Sequence, residues 1–517
     1  MSTEQEPPRL RRARRLAIAG VLISLLFGAL LFASVNRTLG SADEGVHLDY
    51  AWQVSHGRLP DFAEGPQLPH IPREAKLPKV QWASQHPPLF YVIEAPLVRG
   101  LVDSGHWKAA TAAGRAGTIA LGLLCVPVLA WAAAQAIGGR RRVLWGLAVA
   151  AIAAPVAPFV AVTGSMYNDT LIVLTTTFAL AVAIFVLRRG LSWPGVAAAA
   201  AAAAAGMATR AHFIVTLLIL LAALVAAALI HGGGPVLGRL LRGGAAAVGV
   251  LAVTAAAIGW FYVRNVRLSG SWTGGHPEWG IAHLGRSKHG LTDVLSMPDF
   301  WLNYRRLFFQ PAGGLRWVGP ALLGLLAVAA LVAALARRPW RRADVVSTAA
   351  VLVVAGQLAG TVATQAMHVT QAGGIAPRYH LPALLPIAIV LAAGALAWPR
   401  VRAYALIAVV ATGWLLLVLR LRPFALFPDG ETANGIPGRV LAVFVVGLAA
   451  GVVLQAFGLR KVYALVAAPG WVEPGSAALP GAPAGRRPPA GQHVAGRVAD
   501  VEFDRASATS GQGRGHA

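Results

Sequence analysis

A chain of 517 residues could hold several soluble domains, but 56% of these residues are hydrophobic and 13% charged, and the mean hydropathy is +0.61, which argues against a soluble protein. The one cysteine, Cys125, excludes an intrachain disulfide and a cysteine-built metal cluster. A net charge of +24 would point to nucleic acid in a soluble protein; here the basic residues sit mostly in short loops between apolar runs, so membrane topology accounts for them and no nucleic-acid partner is expected.

Apolar runs of about 20 residues recur, the length that crosses a hydrocarbon core of about 30 Å. Lipid leaves backbone groups no partner outside the chain, so such runs are read as helices. The expected fold is an all-α polytopic transmembrane bundle of about twelve spans. They fall near 16–35, 112–137, 143–162, 169–187, 192–209, 211–230, 243–262, 317–336, 345–366, 380–398, 401–419 and 440–458. Abundant Ala and Gly suit close helix packing in lipid, although the run Ala197–Ala205 also reflects compositional bias. The basic segment 1–15 followed by an apolar run has the outline of a signal peptide. No small-residue cleavage pattern follows it, so it is read as a retained first helix. The transmembrane domain covers 16–460. The segment 461–517, rich in Pro, Gly, Ala and Arg from Pro474 on, reads as a disordered cytoplasmic tail.

Arginine distribution sets the expected orientation. Arg9, Arg11, Arg12, Arg14 and Arg15 precede the first run, and alternate loops carry Arg140–Arg142, Arg188–Arg189, Arg239 with Arg242, Arg337–Arg342, and Arg400 with Arg402. The intervening loop Gly164–Asp169 has no basic residue, and His368–Tyr379 has only Arg378. The positive-inside rule then places both termini in the cytoplasm of a multi-pass plasma-membrane protein, with long outer loops at about 36–111 and 263–316. The Lys and Arg residues of these loops are read either as a solvated face or as a surface that meets anionic lipid-linked phosphate.

The first outer loop opens Ser41-Ala42-Asp43-Glu44-Gly45-Val46-His47. Ser41 and Glu44 have capping-box spacing, which would start a surface-lying amphipathic helix through Val46, Tyr50 and Val54. Such a cap occupies Glu44 and leaves Asp43 available as a general base at the water–lipid boundary. Gln85-His86-Pro87-Pro88-Leu89-Phe90-Tyr91 closes the loop. Its prolines open a second short amphipathic helix, and His86 is either solvated or aimed at the same cavity as Asp43. In Gly164–Asp169, Asn168 and Asp169 either cap the next span or hold a substrate hydroxyl or a cation at the bundle mouth; the Asn168-Asp169-Thr170 sequon is read as accidental there. Arg210 lies between two apolar runs, where a charge needs a polar cavity. Arg264 follows the aromatic cluster Trp260–Tyr262 and either snorkels to lipid phosphate or serves a site. Gly373–Leu381 sets Arg378 and Tyr379 at the outer mouth of the tenth span, where arginine suits a phosphate. No Walker A sequence or strand-borne GxGxxG is present, so an activated donor would have to be membrane-borne.

Together these segments resemble the GT-C superfamily of membrane glycosyltransferases, which use polyprenyl-phosphate sugars and include protein mannosyltransferases and aminoarabinose transferases. The resemblance rests on five short motifs spread over about residues 16–400. They are Asp43-Glu44 after the first span, an HxPPL-like His86-Pro87-Pro88-Leu89, Asn168-Asp169 before the fourth span, Trp260 to Asn265, and Gly374 to Pro382. The pattern is most similar to a bacterial branch of GT-C-like proteins. The resemblance implies an outer-face cavity in which a lipid-phosphate sugar meets an acceptor. It makes Asp43 the catalytic base, with Glu44, His86, Asn168 and Asp169 in support, and Arg378, Tyr379, Arg210 and Arg264 around the donor phosphate. Some members need a divalent cation, which Asp43, Glu44 and Asp169 could hold. The chain departs from the family's pattern in two ways. Pro87 stands where a basic residue is common, and no large C-terminal outer domain follows, which favours a cell-envelope glycan or lipid over a protein acceptor. The rival readings are a transporter or lipid flippase and a non-catalytic envelope assembly factor. Against transport, the polar residues crowd one face instead of tracing a path across the midplane, and no paired broken helices are seen.

Overall fold

The computed structural model describes residues 7–39, 43–71, 77–138, 141–337, 344–398, 401–425 and 430–468. Ser41 and the tail beyond 468 lie outside them. Among the described residues every regular element is a helix, and one isolated bridge joins Glu431 to Pro437. The chain begins with α1 (Pro8–Val35), then a long loop carrying α2 (Glu44–Ser55), a 3-10 turn (Trp82–Gln85) and α3 (Leu89–Asp103). The bundle continues through α4 (Trp107–Ile137), α5 (Arg142–Ala153), α6 (Ala157–Thr163), α7 (Asp169–Arg189), α8 (Trp193–Met207), α9 (Ile214–His231) and α10 (Val236–Ser269). A second long loop holds the short helices α11 (Pro277–Leu284), α12 (Leu291–Ser296) and α13 (Pro298–Leu302). The chain returns through α14 (Val318–Arg337), α15 (Val345–Thr370), α16 (Leu384–Ala395), α17 (Arg402–Ala425) and α18 (Gly438–Ala467).

This is a polytopic helical bundle. Among the described residues ten helical segments are long and apolar enough to cross a membrane, and α5 with α6 adds an eleventh if that bent pair is one span. The expected count of about twelve is corrected at two places. The chain bends by 72° between α5 and α6, where Pro155 has no N–H to continue the ladder. At 1.5 Å per residue α8 reaches only about 22 Å, short of a hydrocarbon core. The last helix also runs past Lys461, to Ala467.

Small residues set the closest packing. A Cβ added at Gly458 would lie 2.6 Å from Ala17 Cα, and one at Gly451 would lie 2.9 Å from Ser24 Cα, so α1 and α18 touch backbone to backbone. The most enclosed span is α7, packed by α4, α8, α9 and α15. Its first residue, Asp169, is therefore fixed at the end of the bundle that carries both long loops.

The first loop departs from the expected surface-lying helix. All of Glu44–Gln53 in α2 is buried, with no apolar stripe facing outward. The enclosed Asp49 carboxylate ties the loop down: it accepts from Gln67 N at 2.6 Å, Gln81 Nε2 at 2.5 Å and Gln53 Nε2 at 2.8 Å. Burial, opposed by those donors, leaves its pKa raised to about 6. As expected, the two prolines open α3. Its inner face buries Phe90, Tyr91, Glu94 and Val98, while Val92, Ile93 and Leu97 are exposed on the other.

Candidate active site

The site is built at the junction of α1, α2, α4 and the turn before α7. Arg115 of α4 spends its whole guanidinium there. Nε and Nη2 form a fork on Glu44 at 2.8 and 2.7 Å, Nη1 donates to the carbonyls of Ala33 (2.5 Å) and Asn36 (3.0 Å), and Nη2 also reaches that of Arg37 (3.2 Å). Glu44 accepts in addition from the backbone N–H of Met166 at 3.1 Å. One buried ion pair thus closes the end of α1, the start of α2 and the turn leading to α7. A charge pair can sit in such surroundings because nearly all its hydrogen-bonding capacity is met.

That knot corrects the capping reading. Glu44 is the first residue of α2 and its carboxylate is committed to Arg115, so it cannot reach back to cap its own helix. Asp43, immediately before it, points elsewhere and is not free as expected: it pairs with Arg378, from the 3-10 turn Pro377–Ala383. Arg378 Nε also lies 3.8 Å from Asp169 Oδ2, and the other oxygen of Asp169 pairs with Arg210, from the break between α8 and α9. Asp43, Arg378, Asp169 and Arg210 therefore form a chain of alternating charge. Tyrosine rings line it, with Arg378 5.1 Å from the Tyr167 centroid and 5.2 Å from that of Tyr379, and Arg210 5.7 Å from Tyr379.

Exposure separates the three acids. The side chain of Glu44 is wholly buried and that of Asp169 is 2% exposed, whereas Asp43 and Arg378 are each 27% exposed. Asp43 is thus the acid an incoming molecule can touch. Polar atoms without a hydrogen-bond partner among the described residues belong to the same cluster: Asn168 Oδ1 and Nδ2, Asp169 Oδ2, which has only the 3.8 Å approach of Arg378 Nε, and Arg210 Nε. Asn168 precedes α7 but makes no side-chain capping bond, which corrects the capping alternative for it. Buried groups left unpaired in this number mark a place that suits a polar ligand.

Two imidazoles border the cluster. His47 donates its backbone N–H to the Asp43 carbonyl at 3.0 Å, and its Nδ1 meets Tyr91 Oη at 2.8 Å. The His86 ring lies parallel to it, 6.4 Å away. Burial, then the positive field of Arg210, holds the pKa of both well below the usual histidine range. They are neutral at pH 7 and serve as hydrogen-bonding groups, not cations. His368 approaches Tyr379 edge-on at 5.5 Å.

Of the residues expected from sequence, Asp43, Asn168, Asp169, Arg210, Arg378 and Tyr379 converge here, with His86 at the margin. Glu44 is structural. Arg264 stands apart, donating to the Pro60 carbonyl at 2.6 Å and lying 5.6 Å from the Phe261 ring centroid. Asp43, Glu44 and Asp169 do not fit a divalent cation, since each faces a guanidinium, and no group of three His, Cys, Asp or Glu suited to a metal occurs among the described residues. Arg115, His47 and His368 were missed. Arg115 is an ionisable residue inside an apolar run, and that signal alone marks a position worth singling out.

No protein-family model matches the chain, and no curated protein does. Among solved structures it is similar to ArnT from Cupriavidus metallidurans bound to undecaprenyl phosphate, at 17% identity over 86% of this chain and 77% of that one, with a TM-score of 0.43. It is also similar to the archaeal oligosaccharyltransferase AglB from Archaeoglobus fulgidus in complex with an inhibitory peptide and a dolichol-phosphate, at 12% identity over 86% of this chain and 55% of that one, TM-score 0.43. Neither likeness is deep enough to transfer chemistry.

Proposed function

We propose that the protein is a membrane glycosyltransferase that moves a hexosyl or pentosyl group from a polyprenyl-phosphate donor to a hydroxyl of a cell-envelope glycan, lipid or protein, with inversion. The observation that supports it most is the part-exposed Asp43–Arg378 pair beside polar atoms of Asn168, Asp169 and Arg210 that lack hydrogen-bond partners. In this reading the chain is a multi-pass plasma-membrane protein with cytoplasmic termini and its site on the outer face.

The donor phosphate draws Arg378 off Asp43, since a guanidinium fork matches a phosphate as well as a carboxylate. Asp43 is then open to the acceptor. The acceptor oxygen attacks the anomeric carbon from the side opposite the phosphate, and its proton passes to Asp43. The bond from the anomeric carbon to the phosphate oxygen breaks, and the lipid phosphate leaves with the electron pair, its charge held by Arg378 and Arg210. Neutral His47 and His86 orient hydroxyls without competing for the phosphate. Asp169 keeps both arginines aligned in the meantime.

The reading is tested with the purified protein in liposomes, a radiolabelled polyprenyl-phosphate sugar and a mixed envelope-glycan acceptor. Label in a covalent product of inverted configuration, with equimolar release of polyprenyl phosphate, is the expected result. Movement of the intact lipid-linked sugar across the bilayer without any covalent product would overturn it in favour of a transporter.

A further inference from the structure

A concavity separate from the charged cluster is lined by Ser84, two residues before His86. Its cavity volume is about 100 Å³ and it opens to solvent, so a ligand would lie partly in it and partly across its mouth. One wall comes from the first long loop, the other from the last turns of α10 and the start of the second loop. We propose that this cleft, formed by Asp61, Phe62, Ser84, Arg264, Asn265 and His276, binds a neutral, hydroxyl-rich carbohydrate beside His86.

Its chemistry differs from that of the charged cluster. Asp61 and Arg264 bring one charge of each sign, so an anion meets Asp61 and a cation meets Arg264. A polyol satisfies both, donating hydroxyls to the carboxylate and accepting from the guanidinium. Asp61 Oδ1 accepts from Ala63 N at 2.9 Å and Arg264 Nη2 is held by Pro60 O, which fixes both groups and leaves further valences on each. The buried Asn265 gives its Nδ2 to Gln85 O at 3.2 Å and Trp272 O at 3.4 Å, which fixes the amide at the cleft wall.

An apolar wall stands next to these polar groups. The Phe62 ring stacks on His276 at 3.7 Å and meets Trp82 edge-on at 5.4 Å. A braced aromatic cluster beside fixed polar groups suits a sugar ring, which has both apolar C–H groups and a hydroxylated rim. The close approach of the walls depends on Gly274, at φ +72°, where a Cβ would lie 2.8 Å from Asn265 Nδ2 and 2.9 Å from Gln85 Cβ. Asn265 holds the Gln85 carbonyl and Tyr50 Oη donates to the His86 carbonyl at 2.9 Å. One short segment therefore carries Ser84 into the cleft and His86 against His47. That the carbohydrate is the acceptor rests on the glycosyl-transfer reading above; that the cleft binds it does not.

The test uses the full-length protein in detergent, without any lipid donor, and linear tetrasaccharides of glucose, mannose and galactose as probes. Binding is read by saturation-transfer NMR and by the fluorescence of the tryptophans beside the cleft. Saturable binding of at least one probe is expected, weakened about tenfold or more by Asp61→Asn and by Ser84→Ala, with thermal midpoints unchanged. No binding by any of the three overturns the proposal even if sugar transfer proceeds. So does binding that Asp61→Asn leaves intact while Asp43→Asn removes it, which would move the carbohydrate to the charged cluster. Binding as expected in a protein that transfers no sugar keeps the cleft and defeats the transferase reading instead.

Discussion

Asp43 and Glu44 are neighbours in the chain, and each meets an arginine from a distant helical segment, yet the two pairs occupy opposite physical regimes. Glu44 and Arg115 are sealed among four further acceptor and donor contacts, with side-chain exposures of 0% and 6%. Asp43 and Arg378 meet at 27% exposure each, and Arg378 divides its attention with Asp169. A buried, fully bonded pair is costly to break because the surviving charge has nowhere to go. A half-exposed pair costs little to open, because water or an incoming ligand takes the place of the lost partner. The first arrangement makes a joint and the second makes a gate. One residue of offset at the start of α2 separates them.

The joint gives the largest expected effect. Arg115→Ala leaves the Glu44 carboxyl buried without its partner, and should lower stability by about 3–5 kcal/mol, seen as poor yield in membranes or a collapsed thermal midpoint in detergent. A midpoint within a degree of wild type would erase the distinction between the two pairs. Next comes the gate. Arg378→Ala should cut sugar transfer by about 10²–10³-fold while the protein stays folded, checked by initial rates against donor concentration. Unchanged donor dependence would remove Arg378 from the phosphate.

A smaller effect sharpens the contrast from a third acid. Glu94 of α3 is buried, with Oε1 near Thr118 at 3.3 Å and Oε2 unpartnered, and burial raises its pKa to about 8. An acid whose pKa is raised on folding is most favourable below its unfolded value, and that contribution is lost as pH rises through about 8. Wild-type stability should therefore decline between about pH 4.5 and 8, and Glu94→Gln should flatten that decline. Parallel pH profiles of the thermal midpoint for the two proteins would contradict it. Unlike Glu44, this acid meets no arginine among the described residues.

Much of the bundle was legible because crossing lipid demands long apolar runs, and those are local in sequence. The two places that depart from a plain hydropathy reading are where length and geometry part from it: α8 is apolar but short, and Pro155 bends an otherwise continuous run. Asp43, Asp169, Arg210 and Arg378 could be singled out because a charge beside apolar spans needs a reason. Their pairing could not, since Asp43 and Arg378 are 335 residues apart. Glu44 misled for the same cause. The local Ser41-x-x-Glu44 spacing offered it a plausible cap, whereas its partner lies 71 residues away on α4. The long-range fork won over the local motif because a buried carboxylate gains more from a guanidinium than from one backbone amide.

The central claim is that Asp43 acts on substrate and Glu44 acts on structure. The most direct measurement compares Asp43→Asn with Glu44→Gln in one preparation, reading sugar transfer from a polyprenyl-phosphate donor alongside the thermal midpoint. Asp43→Asn should lose about 10²–10⁴-fold in rate with a midpoint near wild type, and Glu44→Gln should lose stability first, its residual rate tracking the folded fraction. Full transfer by Asp43→Asn, or a rate loss in Glu44→Gln at unchanged stability, would contradict the account.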